Sequence, residues 1–171
     1  MKTLAFLLLS LVILSACALV QKRVEVQWPT DLTYLEGEGD LDMSWRKQKY
    51  HGSFILQMVY PDILHLEVYG PFGQTLVYVK KEANRFLFVA GEEKSTEESA
   101  FQDTYGLEVR QIMDDLALKG QAEATPDGGL VLQRKDYRVV YGQDRARRKT
   151  CWEGRDGTIC MTFNEISFEK K

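Results

Sequence analysis

Asp114-Asp115, the pair His65 and Glu67, and the pair Cys151 and Cys160 are the residues whose types and spacing could do chemistry in this chain of 171 residues. Two carboxylates can share a proton only if they face each other. Neighbours on a helix point in different directions, so Asp114 and Asp115 do not form an acid–base pair. His65 and Glu67 share one face of a strand, where an imidazole and a carboxylate could pass a proton, but no nucleophile or metal ligand accompanies them. The chain has no G-x-S-x-G, H-E-x-x-H, P-loop or G-x-G-x-x-G pattern. Its two histidines, His51 and His65, and its two later cysteines lack the spacing of a metal site. The expectation is a protein that is not an enzyme and uses no metal or cofactor. For the cysteines the expected chemistry is a disulfide, and the intervening "WEGRDGTI" leaves its formation open. If Gly154 pairs with Gly157 across a hairpin, Cys151 lies opposite Cys160. If the turn centres on Asp156-Gly157, the two face apart.

The first residues point to export. "MKTLAFLLLSLVILSAC" has one early cation, an apolar run from Leu4 to Leu14, and then small residues. This is the pattern of a secretory signal peptide, too short to span a membrane. Its end, Leu14-Ser15-Ala16-Cys17, resembles the bacterial lipobox. That resemblance implies residues 1–16 as a signal peptide, lipidation at Cys17, residues 17–27 as lipidated terminus and tether, and residues 28–171 as the folded domain. Two acyl chains at Cys17 anchor far better than one. Ala18, where an Asp would hold a lipoprotein at the inner membrane, implies the outer membrane with the domain facing the periplasm. Disulfides are allowed there.

The elements that must position any site read mostly as strands. "WPTDLTYLEG" suggests one short helix, capped by Thr30, with Leu32 and Leu35 on its apolar face. "EGEG" at Glu36–Gly39 and "DGG" at Asp127–Gly129 read as loop punctuation. From Gly39 to Ala90 the chain alternates as an antiparallel meander with turn signals every 8–12 residues. Ser95-Thr96-Glu97-Glu98 has the form of a capping box opening a helix that Gly106 stops. Val109, Ile112, Met113 and Leu116 fall at helical spacing before Gly120. Strands return from Leu130 to Phe168. The expected fold class is α+β: a curved antiparallel sheet with about three short helices.

Several strands are apolar on both faces. Phe54, Leu56, Met58, Leu64, Leu66, Val68, Leu76, Phe86 and Phe88, with Ile112 and Leu116 from a helix, line either a filled core or a cavity left open for an apolar ligand. Periodicity leaves both readings standing. The formal net charge of −3 and pI near 5.5 argue against nucleic acid as a partner. The basic cluster Arg145, Arg147, Arg148, Lys149 and the acidic cluster Glu92, Glu93, Glu97, Glu98, Asp103 read as solvated faces, or as contacts for anionic headgroups and a soluble partner respectively.

One stretch resists a structural explanation. In "VYGPFGQTLVYV", Gly70-Pro71-Phe72-Gly73 is a tight turn that puts an aromatic ring at a hairpin tip. Behind a lipobox, "GPFGQTLVYV", then "YGLEVRQIMDDLALKG", "LVLQRKDYRVVYG" and "GRDGTICMTFNEISF" occur in an order that resembles the LolB-type family of outer-membrane lipoprotein receptors. The resemblance runs from about Leu35 to Phe168. It implies a half-open β-barrel closed by helices around a hydrophobic cavity, and a monomer that accepts lipoproteins from the periplasmic carrier LolA and inserts their acyl chains into the outer membrane. The family's Pro-Leu-Gly loop falls on Pro71, Phe72 and Gly73 here, with Phe72 at the membrane-inserting position. The segment before Gly37 is shorter than the family's first helix, and the cysteine pair lies outside the family pattern. The alternative implied by the wider superfamily is a periplasm-facing carrier of another lipid or glycolipid; a structural lipoprotein with a filled core is the non-transport alternative.

Overall fold

The computed structural model describes residues 28–170, so the signal peptide, Cys17 and the tether lie outside the described residues. The elements in order are β1 (Leu32–Trp45), β2 (Gln48–Val59), β3 (Ile63–Tyr69), β4 (Thr75–Glu82), β5 (Arg85–Ala90), β6 (Glu93–Ser95), α1 (Glu98–Tyr105), α2 (Val109–Leu116), β7 (Ala122–Ala124), β8 (Leu130–Gln133), β9 (Tyr137–Asp144), β10 (Arg147–Gly154) and β11 (Gly157–Lys170). All strands belong to one 11-stranded sheet, ordered β6-β5-β4-β3-β2-β1-β11-β10-β9-β8-β7. Two antiparallel meanders, β1–β6 and β7–β11, meet where β1 pairs with β11. The helices lie in the connection between the two outermost strands, β6 and β7, so the chain must cross the sheet there.

This corrects the expected fold class. The molecule is dominated by strands, has two helices among the described residues rather than three, and leaves its sheet open, with β6 and β7 at opposite edges. It is not an α+β half-barrel closed by helices. The missing helix is the clearest case. Leu32 and Leu35 are both fully buried at an i, i+3 spacing, which reads as one helix face. They instead lie in β1, where a register shift between Leu32 and Tyr34 against β11 inserts an extra residue and puts both on the inner face. "EGEG" is also corrected, because Glu36–Gly39 is mid-strand. A Cβ on Gly39 would lie 2.0 Å from the Thr162 carbonyl oxygen, and one on Gly37 would lie 2.8 Å from the Phe163 ring. These glycines mark close backbone approach and a second register shift, at Glu38/Gly39, rather than a loop.

The sheet curves around the helices. Five inter-strand steps separate β4 from β10, about 24 Å in a flat sheet at ~4.8 Å per step. Yet Val77 of β4 and Trp152 of β10 line the same cavity. The inner face is set by register: Phe54 opposite Val68, Leu56 opposite Leu66, Met58 opposite Leu64, Val79 opposite Phe88. α1 begins three residues after Ser95, which ends β6; its Oγ accepts the Glu97 N–H at 3.0 Å, and Glu97 is the N-cap. Gly106 ends α1 in the left-handed region at φ 70°.

Gly154 pairs with Gly157, so Cys151 lies opposite Cys160 and the two are joined, with an S–S distance of 2.13 Å. Their strand neighbours Thr150 and Trp152 belong to the inner side of β10, so the bridge staples the outer face of the β10–β11 hairpin. A short loop returns a modest entropic gain, and Cys151→Ala/Cys160→Ala is expected to lower stability by about 2–3 kcal/mol in chemical denaturation. Inner-face binding should survive the change.

Candidate functional site

A cavity of about 70 Å³ lies between the inner face of the sheet and the helices. β1 supplies Leu41 and Met43, β2 Tyr50, β3 Leu66 and Val68, β4 Val77, β10 Trp152, and β11 Ile159 and Met161. Phe101 and Tyr105 of α1, Leu107, and Ile112 of α2 form the opposite wall. Cross-strand pairs place these side chains together: Leu41 opposite Met161, Met43 opposite both Ile159 and Tyr50, Ile159 opposite Trp152.

Of the residues expected to line a cavity, Leu66, Val68 and Ile112 do so. Phe54, Leu56, Met58, Leu64, Phe86, Phe88 and Leu116 instead fill the packed core, and Leu76 is half-buried against it. The core is filled toward the β2–β3 turn and leaves this small cavity toward the β3–β4 turn. The β1, β10 and β11 lining was missed. Its signal was the alternation of Leu41, Met43 and Trp45, which becomes a wall only once β1 is known to pair with β11.

Phe72 sits at the open end. The Gly73 N–H donates to the Gly70 carbonyl at 2.9 Å, closing a turn with Pro71 and Phe72 at its centre. The Gly70 N–H donates to the Gln74 carbonyl at 2.9 Å, and the Phe72 N–H reaches Gln74 Oε1 at 3.2 Å. Gly73 has φ 77°, where glycine is favoured. Phe72 is 94% exposed. Val68 and Val77, paired across β3 and β4 just before this turn, line the cavity. An exposed ring therefore stands at the same end of the sheet as the apolar cavity.

Two polar clusters hold the helices in place. Arg46, in the β1–β2 turn, donates from Nη1 to the Asp103 and Thr104 carbonyls at 2.5 and 3.2 Å and from Nε to Asp156 at 3.0 Å. Trp45 Nε1 donates to the Tyr105 carbonyl at 2.5 Å. The carbonyl end of α1 is thus satisfied by one cation and one indole. The second cluster centres on Asp115, which is fully buried. Its carboxylate accepts from Arg134 Nε at 2.8 Å, Tyr137 Oη at 2.9 Å and Trp152 Nε1 at 2.9 Å, while its backbone carbonyl accepts from Tyr141 Oη at 2.6 Å. Burial pushes the Asp115 carboxyl above its ordinary range, against the pull of Arg134, Trp152 and Tyr137. Asp114 points the other way, to Tyr60 and Arg110. His65 lies 3.4 Å from Glu82, among surface ion pairs.

The charge clusters are partly absorbed by their own neighbours. Arg147 pairs with Asp40 at 2.7 Å and Asp144 at 3.3 Å, and Arg148 lies over the Phe168 ring at 5.0 Å. Glu98 pairs with Lys81. No group of metal-binding side chains occurs among the described residues, and no helix among them is long and apolar enough to cross a membrane.

No family model matches the chain, and comparison with curated proteins gives no match.

Proposed function

We propose that this protein is a membrane-anchored acceptor of acylated cargo: it takes lipoproteins from a LolA-type periplasmic carrier and passes their acyl chains to the outer membrane. The observation that carries the reading is Phe72, 94% exposed at the tip of the hairpin whose last inward pair lines an apolar cavity. Burying one Phe side chain contributes roughly 1.5–3 kcal/mol. That suits a brief, reversible touch on a bilayer beside a permanent anchor at Cys17. The acyl chains of a mature lipoprotein present on the order of 40 CH₂ groups, roughly 30 kcal/mol of burial. Release through water would be prohibitively slow, so transfer needs an apolar path from cavity to membrane. The joined cysteines suit an oxidising compartment, in keeping with export.

The cavity as it stands is small. At 10–15 Å³ per water-sized site, 70 Å³ holds roughly five. A full acyl chain needs more, so loading displaces α1 and α2 from the sheet, stretching the ties at Arg46 and Asp115. No barrel is needed for this: the open, curved sheet, uncovered as loading displaces the helices, provides the apolar surface.

The alternative is a carrier of another lipid or glycolipid, favoured by the same cavity. Mass spectrometry of lipids extracted from the soluble Cys17→Ala form separates the two. A lipoprotein acceptor retains no single abundant free lipid; a dominant, stoichiometric lipid would overturn the proposal in favour of the second reading.

A further inference from the structure

The inner face of the sheet carries an aromatic row where the cavity stops. Leading away from the Phe72 end, β1 presents Met43 and Leu41 to the cavity, and then Gly39 and Gly37, which have no side chain. β11 presents Ile159 and Met161, and then Phe163. β2 presents Tyr50, then Gly52, and then Phe54. Gly39 pairs with Phe163 on one side and with Phe54 on the other, so these three positions lie side by side. The two rings meet edge to face, with centroids 5.1 Å apart and planes at 87°, and both are fully buried. Phe54 also pairs with Val68, which lines the cavity, so the row borders the cavity on β2 as well as on β11. Glycines inside a strand weaken it unless something packs over them. Here the Phe163 ring covers the Gly37 backbone and is backed by the Trp28 ring at 5.9 Å.

Phe54 and Phe163 belong to the sheet, whereas the wall that moves on loading is α1 and α2. A chain entering from the hairpin end meets the same two rings however far the helices swing. We propose that the Phe54–Phe163 pair is the end stop of the site and sets how long an acyl chain it takes: the chain lies over Met43, Leu41 and Met161, and its terminal methyl meets the rings. This rests on reading the cavity as an acyl-chain site. It adds to that reading a length limit for saturated chains, and names the side chains that impose it.

The test is displacement of diphenylhexatriene, a hydrocarbon probe, from the soluble Cys17→Ala form by methyl esters of saturated fatty acids from eight to eighteen carbons. In the parent, affinity should rise about fourfold for each CH₂ that is buried and then level off once the chain reaches the rings. One inner-face row spans two residues, ~6.6 Å along a strand and about the length of five CH₂ groups. Phe163→Ala should therefore move the plateau to esters about five carbons longer, and leave the affinities of the short esters unchanged. Phe54→Leu, a milder truncation that keeps the fold if Phe163→Ala does not, should move it the same way by about one or two carbons. Met58→Ala is the control for general loosening: Met58 is fully buried two inner-face positions further along β2, away from the cavity. It should unfold at a lower denaturant concentration and keep the parent's plateau. A plateau unmoved in Phe163→Ala and Phe54→Leu, one moved as far in Met58→Ala, or none in the parent overturns the inference alone. Failure of the folded parent to take up the probe overturns the acyl-site reading and this inference with it.

Discussion

Phe72→Glu is expected to accept cargo as well as the parent and to deliver it at least tenfold more slowly to liposomes. The ring is almost wholly exposed, so removing it costs no packing, and the Pro71–Gly73 turn is held by backbone bonds and Gln74 rather than by the side chain. Folded stability should stay within about 0.5 kcal/mol of the parent. What is lost is membrane contact: roughly 1.5–3 kcal/mol of Phe burial, or about 10–150-fold, with a carboxylate put in its place. Phe72→Leu should retain most delivery, because an apolar group of similar reach remains. Flotation of the soluble Cys17→Ala form with liposomes reads the contact directly, and a time course of labelled cargo reads its consequence. Unchanged delivery by Phe72→Glu would remove the hairpin tip from the mechanism.

The second large effect is on stability. Asp115→Ala leaves Arg134 without its buried counter-charge and strips acceptors from Tyr137 and Trp152 at once. Removing one partner of a fully buried ion pair typically costs about 3–5 kcal/mol; Arg134 is partly exposed and regains some hydration, so a loss of about 3 kcal/mol is expected, still a large fraction of a domain's stability. Asp115→Asn keeps the shape and one acceptor oxygen, and should lose less. Tyr141 donates to the Asp115 backbone carbonyl, which both changes preserve, so α2 should stay docked at that point in the Asn variant. Denaturant midpoints for the two variants, with near-ultraviolet circular dichroism to follow Trp152, check this order. Equal, small losses would mean that the network is incidental to the docking of the helices.

Much of this architecture was legible in the chain. Strict alternation at Phe54, Leu56 and Met58, and at Leu64, Leu66 and Val68, marked the inner face of the first meander, because successive side chains of a strand point to opposite faces and a helix would not bury every second residue. Gly-Pro-Phe-Gly marked its turn because Pro71 and Gly73 each suit one turn position. The failures share one cause: pairings remote in sequence change what local spacing means. Leu32 and Leu35 look helical until the bulge against β11 is known, and Gly37 and Gly39 look like a loop until Phe163 and Thr162 are seen against them. The rest of the cavity escapes local reading for the same reason. Its sheet wall needs β10 and β11 beside β1, and only a structure brings Met161 and Trp152 to Leu41 and Met43. In the sequence Asp115 reads as half of a failed carboxylate pair, since nothing local announces that Arg134, Tyr137 and Trp152 converge on it. The Cys151–Cys160 register stayed open in the sequence because two turn placements fit "EGRDG", and the structure takes the one that pairs Gly154 with Gly157.

The central claim is that this inner face receives acyl chains from a carrier protein. The most direct measurement is transfer of a radiolabelled lipoprotein from LolA of the same cell to the soluble Cys17→Ala form, separated by affinity tag, first without and then with liposomes. Stoichiometric capture is predicted in the absence of membrane, followed by loss of that cargo to the vesicles once they are added. If the lipoprotein stays on LolA in both conditions while the protein remains folded, the claim is wrong.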